Sequence, residues 1–250
     1  MRLMKRILSA AAALALSASL LVGCSSGTAS SVPVSASSAA ESTVSSVEET
    51  ASSAVDENEA AAAQLLNDLT GSYQELWPVI LADEYKQTWL DDCTALVGED
   101  NAEAAFEKLS SMVTGDVYGE DAVKAYANGG GAYFCGFTNS LAILTFDGET
   151  STISGTDKDG NVLFSHTYHY IGMEPVHGLY EFESDDADSG EFTYFFLAPD
   201  TSAETYHIEF RYGSDAEALS QYDTGEYAYW LASGISTDLS LIHISEPTRP

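Results

Sequence analysis

EFTYFFLAPDTSAETYHIEFRY, residues Glu191–Tyr212, decides the fold class. It holds two runs rich in aromatic and β-branched residues, Glu191–Leu197 and Thr205–Tyr212, with the turn signal Pro199–Ala203 between them. Runs of this composition are typical of β-strands, and a short polar break is typical of strands that lie antiparallel. The stretch therefore predicts two antiparallel strands rather than strands joined by a crossover helix.

Five earlier runs have the same character and are separated by turn signals such as Asp147-Gly148. These runs are Ala132–Phe137, Leu141–Phe146, Thr150–Gly155, Val162–Ile171 and Gly178–Phe182. Seven short strands at hairpin spacing predict an antiparallel barrel or sandwich.

The part of the chain before the strands is predicted to be helical, because Ala and Leu recur at helical spacing between Gly, Pro and Asp. The predicted helices are Glu57–Leu69, Gly71–Trp77, Pro78–Ala82, Ala102–Met112 and Glu120–Ala127, with a short one at Ala216–Gln221 after the strands. The expected class is thus mainly β (α+β), with N-terminal helices flanking the strands.

The N-terminus carries a targeting signal. Residues 1–23 begin with Arg2, Lys5 and Arg6 and continue with an apolar run that is short for a membrane span, so they predict a signal peptide rather than a transmembrane helix. Leu21–Cys24, LVGC, resembles the lipobox of bacterial lipoproteins. This resemblance implies lipidation of Cys24 and an extracytoplasmic protein that is anchored to the bacterial cell membrane through its N-terminal lipid only.

Two further segments are expected to lie outside the folded domain. Residues 24–55 are mainly Ser, Ala, Thr and Val without an aromatic residue, which predicts a disordered linker. Residues 239–250, LSLIHISEPTRP, resemble the translated read-through of a sequencing-library adapter, so His243 is given no functional role. One domain over residues 56–238 remains, which is long enough for a sizeable core.

Charge narrows the range of partners. The chain has 39 acidic and 9 basic residues, and the two end segments contain Arg2, Lys5, Arg6 and Arg249 but only Glu246 among the acids. Residues 24–238 therefore hold 38 acids against five bases, a net charge of −33. Nucleic acid and anionic membrane surfaces are poor partners for such a chain, whereas cations are attracted to it. A solvated acidic coat is the alternative explanation.

Cysteines and catalytic motifs add little. Cys93 and Cys135 could form a disulfide, but the sequence does not show whether they are close enough to pair. No G-x-S-x-G, H-E-x-x-H or P-loop motif is present, so the chain is expected not to be an enzyme.

Asp157, Asp159 and Asn161 surround Gly160, a pattern that favours a polar β-turn over a calcium loop.

The chemically informative residues lie on the last predicted strand. Because side chains alternate along a strand, His207, Glu209 and Arg211 share one face, and Tyr206, Ile208, Phe210 and Tyr212 share the other. An imidazole and a carboxylate two positions apart are near enough to bind one metal ion. A cross-strand polar pair on a solvated face is the simpler alternative.

Six segments, in order, resemble the ZinT (YodA-like) family of zinc-binding extracytoplasmic proteins. They are Leu69–Tyr73 with Trp77-Pro78, Leu141–Phe146, Tyr168–Gly172, Gly178–Glu183, Phe195–Pro199 and His207–Asp215. The resemblance implies a lipocalin-like (calycin) barrel with flanking helices and a role in metal homeostasis. It also implies Zn²⁺ or another divalent ion as ligand, and a metal ABC importer or its solute-binding protein as partner.

The family holds zinc with three histidines, and the resemblance transfers them incompletely. His207 matches the first histidine of an H-x-H pair, Glu209 replaces the second, and Phe195 stands where the third is expected. His177 and His169 are the candidates to complete the set. Two alternatives remain: a barrel that binds a small apolar ligand in a cavity lined by residues such as Phe195, Tyr168 and Tyr180, and a surface interaction lipoprotein.

Overall fold

Eight antiparallel strands form a closed barrel in which each strand pairs with its neighbours in the chain. The structure, a computed structural model, describes residues 57–126, 131–199 and 207–238. The predicted signal peptide, the linker and residues 239–250 lie outside the described residues. The strands are β1 Gly71–Glu75, β2 Ile143–Asp147, β3 Thr152–Thr156, β4 Val162–Met173, β5 Tyr180–Ser184, β6 Tyr194–Leu197, β7 His207–Gly213 and β8 Ala232–Ser236.

Pairing of the first strand with the last closes the barrel, with Tyr73 of β1 opposite Ser236 of β8. The prediction of a mainly β, antiparallel barrel with flanking helices is confirmed, and a barrel rather than a sandwich is the form observed.

Aromatic rings fill the interior. On β6 and β7, Phe195 lies opposite Tyr212, and its ring centre is 5.4 Å from that of Tyr212 and 6.4 Å from that of Phe210. The ring of Tyr168 on β4 approaches Phe195 at 5.4 Å. These residues are buried, and each buried aromatic side chain contributes roughly 1.5–3 kcal/mol to stability. An eight-stranded barrel is narrow enough for its own side chains to fill it, as these do.

The helices lie before β2, apart from a short one after β7. They are α1 at residues 57–68, α2 Leu76–Ile80, α3 Lys86–Val97, α4 Glu99–Val113, α5 Glu120–Tyr126 and α6 Ala216–Leu219. Within the described ranges, no helix is both long and apolar enough to cross a membrane.

Two cores result from this arrangement. Leu65 and Leu66 of α1 belong to the barrel core, whereas Trp77 of α2 and Trp89 of α3 form a second core against Ile235 of β8. The second core lies on the outer face of the barrel wall and therefore covers part of β7 and β8.

Two sequence-based assignments are wrong. Gly71–Glu75 is strand β1 rather than the start of a helix, because pairing with β2 and β8 buries Tyr73. The run Ala132–Phe137 is not a strand: its Phe134 makes only isolated bridges, with Thr114 and Trp230. Strand β8 and helix α3 are not predicted by the sequence patterns.

Candidate metal site

The two faces of β7 are separated as the alternation predicts. Ile208, Phe210 and Tyr212 belong to the barrel core, while His207, Glu209 and Arg211 lie on the outer face. This outer face is covered rather than solvated: His207 and Arg211 are buried, and Glu209 is half-buried.

Neighbouring strands and the second core provide the cover. His207 lies opposite Ile235 of β8, which packs in the second core. Glu209 lies opposite Ser233, whose backbone N–H donates to the carbonyl oxygen of Cys135 at 3.1 Å. The polar row of β7 is therefore enclosed between the barrel and the chain that covers it.

His207 and Glu209 are neighbours on the enclosed outer face of β7. Nε2 of His207 lies 3.6 Å from Oε1 of Glu209, and the two side chains are 4% and 15% exposed. At this separation the nitrogen and the carboxylate oxygen are too far apart for a direct hydrogen bond, but both can contribute to the coordination of one cation.

Cys135 lies near Glu209 of this pair, and no sequence pattern predicts this proximity. Burial, and secondly the charge of Glu209, raise the pKa of the Cys135 thiol to about 12. The thiol therefore keeps its proton at neutral pH. Cys93 and Cys135 are both free and buried, so the disulfide considered in the sequence analysis is not formed.

His177 lies in the connection between β4 and β5. Its ring centre is 3.8 Å from that of Tyr222, and its Nδ1 is 3.5 Å from Oε2 of Glu174. Glu174 is fully buried and accepts the backbone N–H groups of Val176 and His177 at 2.9 and 2.5 Å. These contacts fix His177 beside Tyr222 and Glu174.

His169 lies on the outer face of β4 and is exposed. Its Nδ1 is 2.7 Å from Oδ1 of Asp185, and its Nε2 is 4.0 Å from Oε2 of Glu183. Strands β5 and β6 separate β4 from β7. The structure thus brings His207 and Glu209 together, but it does not bring His169 or His177 to them in a metal-binding group: in residues 57–126, 131–199 and 207–238, no three or more His, Cys, Asp or Glu side chains could hold a metal ion.

Phe195, which replaces the third family histidine, is not adjacent to this pair. Phe195 points into the barrel and lies opposite Tyr212, five residues along β7 from His207, whereas His207 lies on the outer face. The same packing argues against the predicted aromatic cavity, because the rings of Phe195 and Tyr168 contact each other and their neighbours.

The acidic turns have ordinary roles. Oδ1 of Asp157 accepts the backbone N–H groups of Asp159 and Asn161, both at 2.9 Å, as the predicted polar turn requires. Hydrogen bonds from Asn161 lower the pKa of the Asp157 carboxyl. Asp185 and Asp186 lie 2.7 and 2.8 Å from the rings of His169 and His166.

A closed eight-stranded antiparallel barrel with flanking helices, of which α2 and α3 pack on its outer face, is the class of fold that these observations define. The crystal structure of the Zn(II)-bound ZinT-like domain of Streptococcus pneumoniae AdcA is similar, with a TM-score of 0.45 and 17% identity over 72% of this chain and 87% of that chain. Zn(II)-bound AdcA from the same organism is similar with a TM-score of 0.44 and 17% identity, over 72% of this chain and 34% of that chain.

The first of these structures carries the name of the family that the sequence motifs resemble. No protein-family model matches the chain, and a search of curated proteins finds no match.

Proposed function

We propose that this chain is a lipid-anchored extracytoplasmic protein that binds Zn²⁺ or a similar divalent cation and helps a membrane importer to acquire it. The observation that carries the proposal is the 3.6 Å separation of Nε2 of His207 and Oε1 of Glu209, on side chains that are almost wholly enclosed. Cys24 supplies the lipid anchor, and an ABC importer or its solute-binding protein receives the ion. The lipobox resemblance of Leu21–Cys24 supports the anchor, and the ZinT family resemblance supports the importer.

Two protein ligands suit an ion that is carried rather than kept. A structural zinc site has four protein ligands, whereas His207 and Glu209 supply two, so the ion is held more weakly than in a structural site. An imidazole and a carboxylate are both ordinary zinc ligands, and the acidic charge of the chain attracts cations to the site. The proposed ligand set omits His169, whose two nitrogens face Asp185 and Glu183, and His177, whose Nδ1 faces Glu174.

A calorimetric zinc titration tests the proposal. The parent protein is expected to bind about one Zn²⁺ per chain, and a His207→Ala/Glu209→Ala variant to bind it at least tenfold more weakly, because both ligands are gone. The matched control is His169→Ala/Asp185→Ala, which removes another histidine–carboxylate pair with the same change of charge. Circular dichroism confirms that each variant is folded. Absence of binding by the parent, or equal binding by the parent and the His207/Glu209 variant, contradicts the proposal.

A further inference from the structure

A groove of about 410 Å³ lies outside the barrel, where the end of β1, helix α2, the end of α4 and residues 134–136 meet. This volume is in the range of sites that hold small organic molecules. Its walls are mainly apolar and include Trp77, Leu81, Val113 and Phe134. The barrel interior, by contrast, is filled by its own aromatic rings.

Glu75 places a carboxylate in this groove. Oε1 of Glu75 accepts the backbone N–H of Phe137 at 2.6 Å, which fixes the side chain. The ion pairs of the described residues do not include Glu75, and it is the one acidic residue that lines the groove. Among the described residues that line the groove there is no Lys or Arg to neutralise this charge.

Aromatic rings stand beside this carboxylate. Phe134 lines the groove and is held in place by Tyr118, whose ring stacks on it at 5.6 Å, and the indole of Trp77 forms another wall. Aromatic faces attract organic cations, with Trp the strongest, and the attraction increases where water is excluded. A carboxylate beside aromatic walls is therefore complementary to an ammonium group with an apolar body.

We infer that this groove binds a small organic cation. Its ammonium group lies near Glu75 and the rings of Trp77 and Phe134, and its apolar part packs on Leu81 and Val113. An anion would meet the charge of Glu75 without compensation. The described residues that line the groove offer a metal ion the carboxylate of Glu75 but no histidine beside it, unlike the His207–Glu209 pair.

A matched pair of probes tests the charge requirement. Choline carries a quaternary ammonium, and 3,3-dimethylbutan-1-ol is its neutral counterpart of the same shape. In ligand-observed NMR titrations of the parent protein, choline is expected to bind at least tenfold more tightly than the alcohol. Equal binding of the two probes, or no binding of choline at millimolar concentration, overturns the inference.

Glu75→Gln tests the residue, because the amide keeps the size of the side chain and an oxygen for the Phe137 N–H while removing the charge. Choline is expected to bind to this variant at least tenfold more weakly. The control Glu103→Gln removes the same charge from an exposed position on α4 and is expected to leave binding unchanged. Equal weakening by both substitutions assigns the effect to the overall charge and overturns the inference. The His207→Ala/Glu209→Ala variant is expected to bind choline like the parent, so the groove and the proposed metal site can fail independently.

Discussion

The guanidinium carbon of Arg211 lies 4.2 Å from the centre of the Tyr222 ring. The guanidinium also donates to the backbone carbonyl oxygens of Leu219, Gln221 and Tyr227, all in the connection between β7 and β8. Arg211 is fully buried, so these contacts replace the water that a guanidinium would otherwise bind. One side chain on β7 thus holds the connection that leads to β8 against the barrel.

Replacing Arg211 should therefore loosen this connection. Arg211→Met is expected to lower the free energy of unfolding by about 3 kcal/mol or more, because the carbonyl oxygens of Leu219, Gln221 and Tyr227 lose their donor and the first and last of these bonds are buried. Arg211→Lys is the control: it keeps the charge but lacks the planar fork, so an intermediate loss is expected. Urea unfolding measures both. A change below about 0.5 kcal/mol in Arg211→Met would show that the contacts do not stabilise the fold.

Phe195→His restores the residue type of the third family ligand, but it should not create a better zinc site. The new imidazole would lie inside the barrel against Tyr212, on the opposite side of the wall from His207. The variant is expected to lose about 2–4 kcal/mol of stability, as for other disruptions of aromatic cores, and to gain no zinc affinity. Phe195→Leu is the apolar control. A tenfold tighter zinc affinity in Phe195→His would contradict the placement of this residue.

The two cysteines of the domain should be inert in the native protein. Both are buried, and burial raises the pKa of each thiol, for Cys135 to about 12. Iodoacetamide at pH 8 is expected to leave Cys93 and Cys135 unmodified until the protein is unfolded, after which both react. Mass spectrometry of the two peptides reports the result. Rapid labelling of Cys135 in the native state would contradict its burial.

Alkaline pH should destabilise the fold. Burial raises the pKa of Cys135 from 9.0 to about 12 and that of Tyr222 from 10.0 to about 12. From pH 9 for the thiol and pH 10 for the phenol, up to about 12, the unfolded chain has lost protons that the folded chain keeps, so the free energy of unfolding falls as pH rises. Below pH 9 both groups are protonated in the folded and the unfolded chain, so they cause no loss of stability there.

Urea unfolding at a series of pH values measures this slope. Tyr222→Phe removes one of the two groups, so its stability should fall less steeply between pH 10 and 12 than that of the parent. An identical slope in the two proteins would show that Tyr222 does not contribute.

Local patterns revealed the strands whose side chains are large, and missed the strand made of small ones. The aromatic runs of β6 and β7 were found, whereas β8, Ala-Ser-Gly-Ile-Ser, has no such composition and is a strand only because β7 and β1 flank it. The sequence pattern places β1 in a helix, because the partners that make this segment a strand, β2 and β8, lie far away in the chain.

For the candidate site, too, local patterns predict one part, and the rest depends on how distant segments pack. His207 and Glu209 are two residues apart, so the period of a strand alone places them on one face. The proximity of Cys135 to Glu209 depends on how distant segments pack, and no local pattern indicates it. The family pattern gave the residue type missing at Phe195, but only the register of β6 and β7 shows that this residue lies on the opposite side of the barrel wall.

The seam between β1 and β8 sets the order of assembly. The pairing of Tyr73 with Ser236 joins the two ends of the domain, so no truncated chain that ends before β8 can complete the cylinder. The seam is a contact of very long sequence separation, and such contacts form late and slowly. A chain in which β8 is not yet available therefore stays open, and the pairing of β8 with β1 completes the barrel wall.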